Sequence, residues 1–166
     1  MYRLALEILP TFVKSRNNLG VALRRRGRID EAIEQYNLAL EQDPRYVEAR
    51  SNLGTAYYNQ GLTEKALAEY RLASEYAGPD GYVHQRLGVT LFRLGRYEEA
   101  IKQFRKALSK EADLADSRYY LGECYRSLGD EKKAIEAYEA ALEIDPNYLA
   151  ARTRLEQLSP SGAPPR

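Results

Sequence analysis

The chain has little of what most protein chemistry needs. It has one cysteine, Cys124, in 166 residues. That excludes an intramolecular disulfide framework and a thiolate metal cage. It has one histidine, His84. A zinc site or a histidine-based catalytic set would rest on it alone, which argues against both. Neither sign of charge prevails: 25 Lys and Arg stand against 24 Asp and Glu, a formal net charge of +1. A general nucleic-acid binder carries a clear basic excess, so nucleic acid is not an expected partner. No apolar run approaches the roughly 20 residues of a membrane span. The N-terminus lacks the charged, apolar and small-residue zones of a signal peptide, and a cytoplasmic setting is expected. There is no nucleotide-binding glycine fingerprint. No nucleophile, base and oxyanion donor group together, and the adjacent acids Glu98 and Glu99 read as a helix start. No catalysis, metal or cofactor is expected.

What is present is repetition. "EAIEQYNLALEQDP" at 31–44 returns as "KAIEAYEAALEIDP" at 133–146, three times 34 residues further on. Leu-Gly pairs fall at Leu19-Gly20, Leu53-Gly54, Leu87-Gly88 and Leu121-Gly122. Ala32, Ala66, Ala100 and Ala134 keep the same period. So do the rings Tyr36, Tyr70, Phe104 and Tyr138, and then Ala39, Ala73, Ala107 and Ala141. Such columns are the mark of a repeat architecture.

On these columns the sequence resembles the tetratricopeptide repeat (TPR) family, over about residues 1–158. The resemblance implies an all-α, right-handed α-solenoid of helix-turn-helix TPR units. Numbering repeats from Val13, Val47, Gly81 and Ala115 gives full units at 13–46, 47–80, 81–114 and 115–148. Helix A is expected over about positions 2–14 of each, and helix B over about 16–30. Gly at position 8 and Ala at position 20 admit close backbone approach, with the ring of position 24 beside them. Gly27, Gly61, Gly95 and Gly129 fall at position 15, where a left-handed residue ends helix A. Asp30-Glu31, Glu98-Glu99 and Asp130-Glu131 place acids in the first turn of helix B, where the helix dipole favours them. Pro44 and Pro146 stop helix B. The third junction, "KEADLAD" at 110–116, has no proline, and its helix is expected to end less sharply. At position 4, where the family often has Trp, stand Arg16, Arg50, His84 and Arg118. Their stems are expected to cover apolar surface while their heads reach water.

The ends differ from the middle. Residues 1–12 read as the second half of a truncated repeat, with Tyr2 in the ring position. Its uncovered Leu4, Leu6, Ile8 and Leu9 suggest either an excised fragment or a face covered by another molecule. Residues 149–158 read as a C-terminal cap helix, with Glu156 where the other repeats have Gly. Residues 159–166, "SPSGAPPR", read as a disordered tail.

The resemblance implies protein–protein interaction, with positions 2, 5, 6, 9, 12 and 13 of each helix A lining a concave groove. The residues picked out for peptide binding are Lys14, Asn18, Asn52, Tyr82, Arg86 and Tyr120. Asn amides donate to and accept from a peptide backbone at once, and Arg forks onto a carboxylate. Two binding patterns of the family overlap here. An asparagine ladder matches at Asn18 and Asn52. A clamp for a C-terminal carboxylate matches at Asn52 and Arg86, with Asn17, Val21 and Tyr82 in its other three places. The plainer reading is that these polar groups keep a groove wall wet. Asp116 and Glu123 make the fourth repeat look acidic, so the expected ligand has a carboxylate on the early repeats and a basic residue toward the fourth. The run "RRRGR" at 24–28 reads as a solvated turn or as a contact for an acidic partner, and Cys124 as a packed small residue. The function expected is a scaffold or adaptor for a protein or peptide partner. The alternatives are a homo-oligomer assembled through the N-terminal half repeat, and a substrate-guiding arm of a larger enzyme.

Overall fold

The structure, a computed structural model, describes residues 13–76 and 80–158. The readings of residues 1–12 and 159–166 lie outside these. The described residues form nine helices and no strand. They are α1 (Val13–Arg25), α2 (Ile29–Gln42), α3 (Val47–Asn59), α4 (Thr63–Tyr76), α5 (Gly81–Arg93), α6 (Tyr97–Lys110), α7 (Ala115–Ser127), α8 (Glu131–Ile144) and α9 (Leu149–Leu158). The chain divides into two compact units, residues 1–78 with α1–α4 and residues 79–166 with α5–α9. Within each unit successive helices pair as hairpins, and the odd-numbered helices α1 and α3, or α5 and α7, also touch side by side.

Helix A starts at repeat position 1 and ends at 13, one residue earlier at each end than the pattern predicts. Helix B starts at position 17. The glycines explain the stop. Gly27, Gly61, Gly95 and Gly129 all have positive φ, between 71° and 79°. The next residue's amide then turns back: Arg28, Leu62, Arg96 and Asp130 donate to the carbonyls of Leu23, Tyr57, Leu91 and Tyr125 at 2.9–3.0 Å. That is a Schellman closure in every repeat. Helix B opens with Asp30 and Glu31, Glu98 and Glu99, or Glu131, while Asp130 stands one place earlier and caps Lys133 N.

Helix B ends at Asp43 and Asp145, whose carboxylates accept from Arg45 N at 3.0 Å and Asn147 N at 2.9 Å. Each is an Asx turn ahead of a chain that proline cannot continue as helix. The third junction corrects the expectation of a looser end. Glu111 adopts φ −129°, ψ 97°, nearly the −132°, 93° of Asp43, and its amide donates to Ala107 O at 2.8 Å. Proline is dispensable because Leu114 is buried and draws the chain back. A Cβ on Gly81 would also meet Glu111 Cγ at 2.5 Å, so the start of α5 packs directly on this junction.

The core is a stack of rings on glycines. A Cβ on Gly20, Gly54, Gly88 or Gly122 would lie 2.4–3.0 Å from Cε1 of Tyr36, Tyr70, Phe104 or Tyr138. The glycine column therefore makes room for the position-24 ring itself, rather than for a backbone crossing with the ring alongside. The partner alanines Ala32, Ala66, Ala100 and Ala134 are fully buried.

Two of the position-4 heads, those of Arg50 and His84, are held by the protein instead of reaching water as expected. Arg50 donates through Nε to Pro44 O at 2.8 Å and through Nη1 to Glu69 at 2.9 Å. His84 Nδ1 lies 3.0 Å from Gln103 Oε1. Arg152, the same position in the fifth unit, donates to Pro146 O at 2.6 Å. Arg118 follows a junction without proline, and its Nε is buried without a partner among the described residues. A guanidinium at this place ties the preceding junction to the helix B behind it. Arg50→Ala is expected to cost about 1 kcal/mol, because Arg50 and Glu69 keep only 15% and 20% side-chain exposure. Arg28→Ala, which removes an ion pair to Glu31 at 44% exposure on each side, is expected to cost almost nothing. Chemical denaturation of the two variants side by side checks this; equal midpoints would mean that Arg50 is merely surface charge.

Candidate functional site

The residues singled out for binding fall in both units. In the first, Lys14 is exposed near the start of α1 and Asn18 is half-buried one turn on. Asn18 lines a depression of about 310 Å³ with Val21, Ala22, Arg25 and Arg26. Asn52 on α3 donates to Asn17 Oδ1 at 2.9 Å, and Asn17 is buried. The structure thus brings Asn52 onto Asn17, at the seam between two A helices. Of the run "RRRGR", Arg25 and Arg26 are exposed and Arg28 pairs with Glu31, but Arg24 Nε is buried.

In the second unit Tyr82 and Arg86 lie one turn apart on α5. Tyr82 is 52% exposed and Arg86 is exposed. Tyr120 on α7 is half-buried within an aromatic array. It stacks on Phe104 at 5.9 Å and 10°, and meets Phe92 and Tyr119 edge-on at 5.4 Å each. Tyr119 continues the array to Tyr148 at 5.3 Å. Tilted and edge-to-face pairs of this kind are favourable.

Glu123 corrects the reading of the fourth repeat as acidic. It is buried and accepts from Tyr138 Oη at 2.6 Å, Arg154 Nε at 2.8 Å and Arg126 Nη2 at 3.2 Å. Burial alone raises its pKa, but the hydrogen bonds from Tyr138, Arg154 and Arg126 outweigh it, and the carboxyl titrates below its ordinary value. Asp116 is exposed but accepts from Tyr148 Oη at 2.6 Å. Burial, and then the bond to Asp116, push the Tyr148 hydroxyl well up. A basic ligand residue near the fourth repeat has therefore lost its motive: Glu123 is neutralised by two guanidinium groups of the chain itself.

Pattern reading also missed a pairing of position 9 with position 24. Thr55 Oγ1 lies 2.9 Å from Tyr70 Oη, and Glu123 accepts from Tyr138. Where position 9 is Val89, the ring is Phe104 and no hydroxyl needs a partner. The signal stood in the two columns read together. Cys124 is buried, and burial first, then the Glu123 and Glu98 carboxylates, push its thiol up to about 12. It is inert packing at neutral pH.

No described helix is long and apolar enough to cross a membrane. Family models described as tetratricopeptide repeat match residues 1–34, 47–79 and 86–148, and one described as TPR repeat matches 22–61. No curated protein sequence matches the chain. A crystal structure of MamA is 30% identical, with TM-score 0.80 over 84% of this chain and 81% of that one. A second MamA structure is 29% identical, with TM-score 0.82 over 88% and 80%. The pilF protein of Pseudomonas aeruginosa, at 23% identity and TM-score 0.80 over 88% of this chain and 67% of that one, shares the fold. With its 34-residue helix-turn-helix unit, the chain belongs to the tetratricopeptide repeat family and is, in the general sense of that family, a protein–protein interaction scaffold.

Proposed function

We propose that the chain binds a linear segment of a partner protein on its A helices, with α5 and α7 of the second unit as the main contact. The observation that carries this is the Tyr82–Arg86 pair: two large side chains one turn apart on α5, both exposed, on a helix that also carries Phe92 and packs side by side with α7, which carries Tyr119 and Tyr120. Tyr and Arg are the side chains most enriched at binding hot spots, because they combine buried area with directed hydrogen bonds. Arg86 meets a carboxylate of the segment, either an acidic side chain or a C-terminus. Tyr82 and Tyr120 take an apolar residue. The first unit, taken by itself, carries the polar side chains Lys14, Asn18 and Asn52 on its A helices, with the second amide hydrogen of Asn52 left for a peptide carbonyl.

The test selects peptides from a displayed random library against the intact chain and measures the best by calorimetry. Arg86→Ala and Tyr82→Ala are each expected to weaken binding at least several-fold, in line with about 1.5–3 kcal/mol for a charge-assisted hydrogen bond. Arg28→Ala, at the turn between α1 and α2, is expected to leave it unchanged. Loss of binding in Arg28→Ala with none in the α5 variants would place the partner on the turn edge and refute the reading.

A further inference from the structure

Beyond the acids of its first turn, α6 carries four cations, Lys102, Arg105, Lys106 and Lys110, and no further acid. The lysines recur every four residues and Arg105 lies three beyond Lys102, so all share one face of the helix, and all are exposed. The other B helices read differently there. On α2 there is no cation at all. On α8, past Lys133, the residues Glu136, Glu139 and Glu143 form an exposed stripe with no cation. Arg105 donates from Nη2 to Tyr125 Oη at 2.8 Å. The three lysines and the three glutamates have no ion pair among the described residues.

Helices α6 and α8 are helix B of successive repeats within one unit, so equal repeat positions point the same way. Lys102 and Glu136 both hold position 22, and Arg105 and Glu139 both hold position 25. A basic and an acidic stripe therefore lie side by side on one surface of the second unit, without an ion pair between them. The stripes match in length: about 12 Å from Lys102 to Lys110, and about 10.5 Å from Glu136 to Glu143. Among the acids, Ala140 and Ile144 stand half-buried at the positions that Lys106 and Lys110 hold on α6. They leave shallow apolar ground for lysine stems.

We propose that this surface joins two copies of the chain. A two-fold axis lays α6 of each copy on α8 of the other, so the contact forms twice. A second copy is favoured over an unrelated acidic partner because the chain itself carries the complementary stripe, at the same repeat positions and over nearly the same length. A single exposed ion pair contributes little. Here three acids face four cations twice over, and the lysine stems cover Ala140 and Ile144. The contact is weak and sensitive to salt. It uses B helices and leaves Tyr82 and Arg86 uncovered, so it stands or falls apart from the peptide-binding reading.

The test is sedimentation of the intact chain over a range of concentrations at low ionic strength. A monomer–dimer equilibrium is expected, weakened at least tenfold between about 0.05 M and about 0.5 M salt. The double variant Lys102→Glu, Lys106→Glu is expected to lose the dimer, and so is Glu139→Lys, Glu143→Lys. These side chains are exposed, so both variants are expected to melt close to the parent. Mixed together, the two are expected to dimerise, because the reversed α6 of one meets the reversed α8 of the other. Glu34→Lys, Glu41→Lys on α2 changes the net charge as the α8 variant does and is expected to dimerise like the parent, as is Arg86→Ala. A parent that stays monomeric, or a mixture that fails to dimerise, would overturn the proposal. Loss of the dimer in the α2 variant would overturn the assignment to α8. A monomeric parent that co-sediments with phosphatidylserine vesicles would overturn the second copy in favour of an anionic membrane surface.

Discussion

Gly88→Leu is expected to destabilise the chain by at least about 1–3 kcal/mol, the usual cost of forcing extra methylenes into a packed core. For a chain of this length that lowers the melting temperature by roughly 2–4 °C per kcal/mol. A Cβ alone would sit 2.7 Å from Phe104 Cε1, and a leucine extends further into the ring. Phe104 is fully buried, so it cannot swing into solvent to make room. It also stacks on Tyr120 of the next repeat at 5.9 Å, so a displaced ring loosens the contact between α6 and α7. Nearest-neighbour coupling then spreads the damage beyond one repeat. Gly54→Ala is a useful contrast. Its Cβ lies 3.0 Å from Tyr70, and an alanine in helix gains about 1 kcal/mol over glycine. It is expected to melt close to the parent. Thermal melts of both variants decide the matter: a Gly88→Leu chain that melts like the parent would mean that the ring does not need the glycine.

The period, the helices and the glycine turns were legible because each depends on local chemistry repeated four times. Gly27 and its three equivalents take positive φ whatever surrounds them. The exceptions all involve partners distant in sequence. The third junction closes sharply because Leu114 is buried, a fact of packing that the absence of a proline does not reveal. Arg50 leaves water because Pro44 O and Glu69 accept from it, the second 19 residues away.

The exposure of the helix A side chains was legible in part. Position alone marks Tyr82 and Arg86 as outward on α5, and there the structure leaves both exposed. Position also marked Glu123 as a groove acid, yet it is buried. The difference lies in Arg154, 31 residues on, which belongs to the unit that the pattern treats as a cap. A single column cannot show such a bond; the pairs Thr55 with Tyr70 and Glu123 with Tyr138, read across columns, do.

Glu123→Ala is expected to cost about 1.5–3 kcal/mol at neutral pH, the range for hydrogen bonds to a charged group. The carboxylate joins three helices: Arg126 on α7, Tyr138 on α8 and Arg154 on α9. Removing it leaves the Tyr138 hydroxyl buried without an acceptor. Arg126 and Arg154 keep 41% and 30% side-chain exposure and find water, so the cost stays below the about 3–5 kcal/mol of stranding a fully buried charge. The first element to loosen is α9, which packs on α8 and buries only Ala151 and Leu155. Amide exchange over 151–158 is expected to quicken before the rest of the chain opens. The effect carries a pH signature. The folded Glu123 carboxyl lies below its ordinary 4.5, so it stabilises the fold above that value and the contribution fades as pH falls through the folded pKa. The gap between parent and Glu123→Ala is therefore expected to be full at pH 7 and to narrow in acid below about pH 4.5. A gap that stays constant from pH 7 to pH 3 would mean that the loss is one of packing and not of the carboxylate's charge.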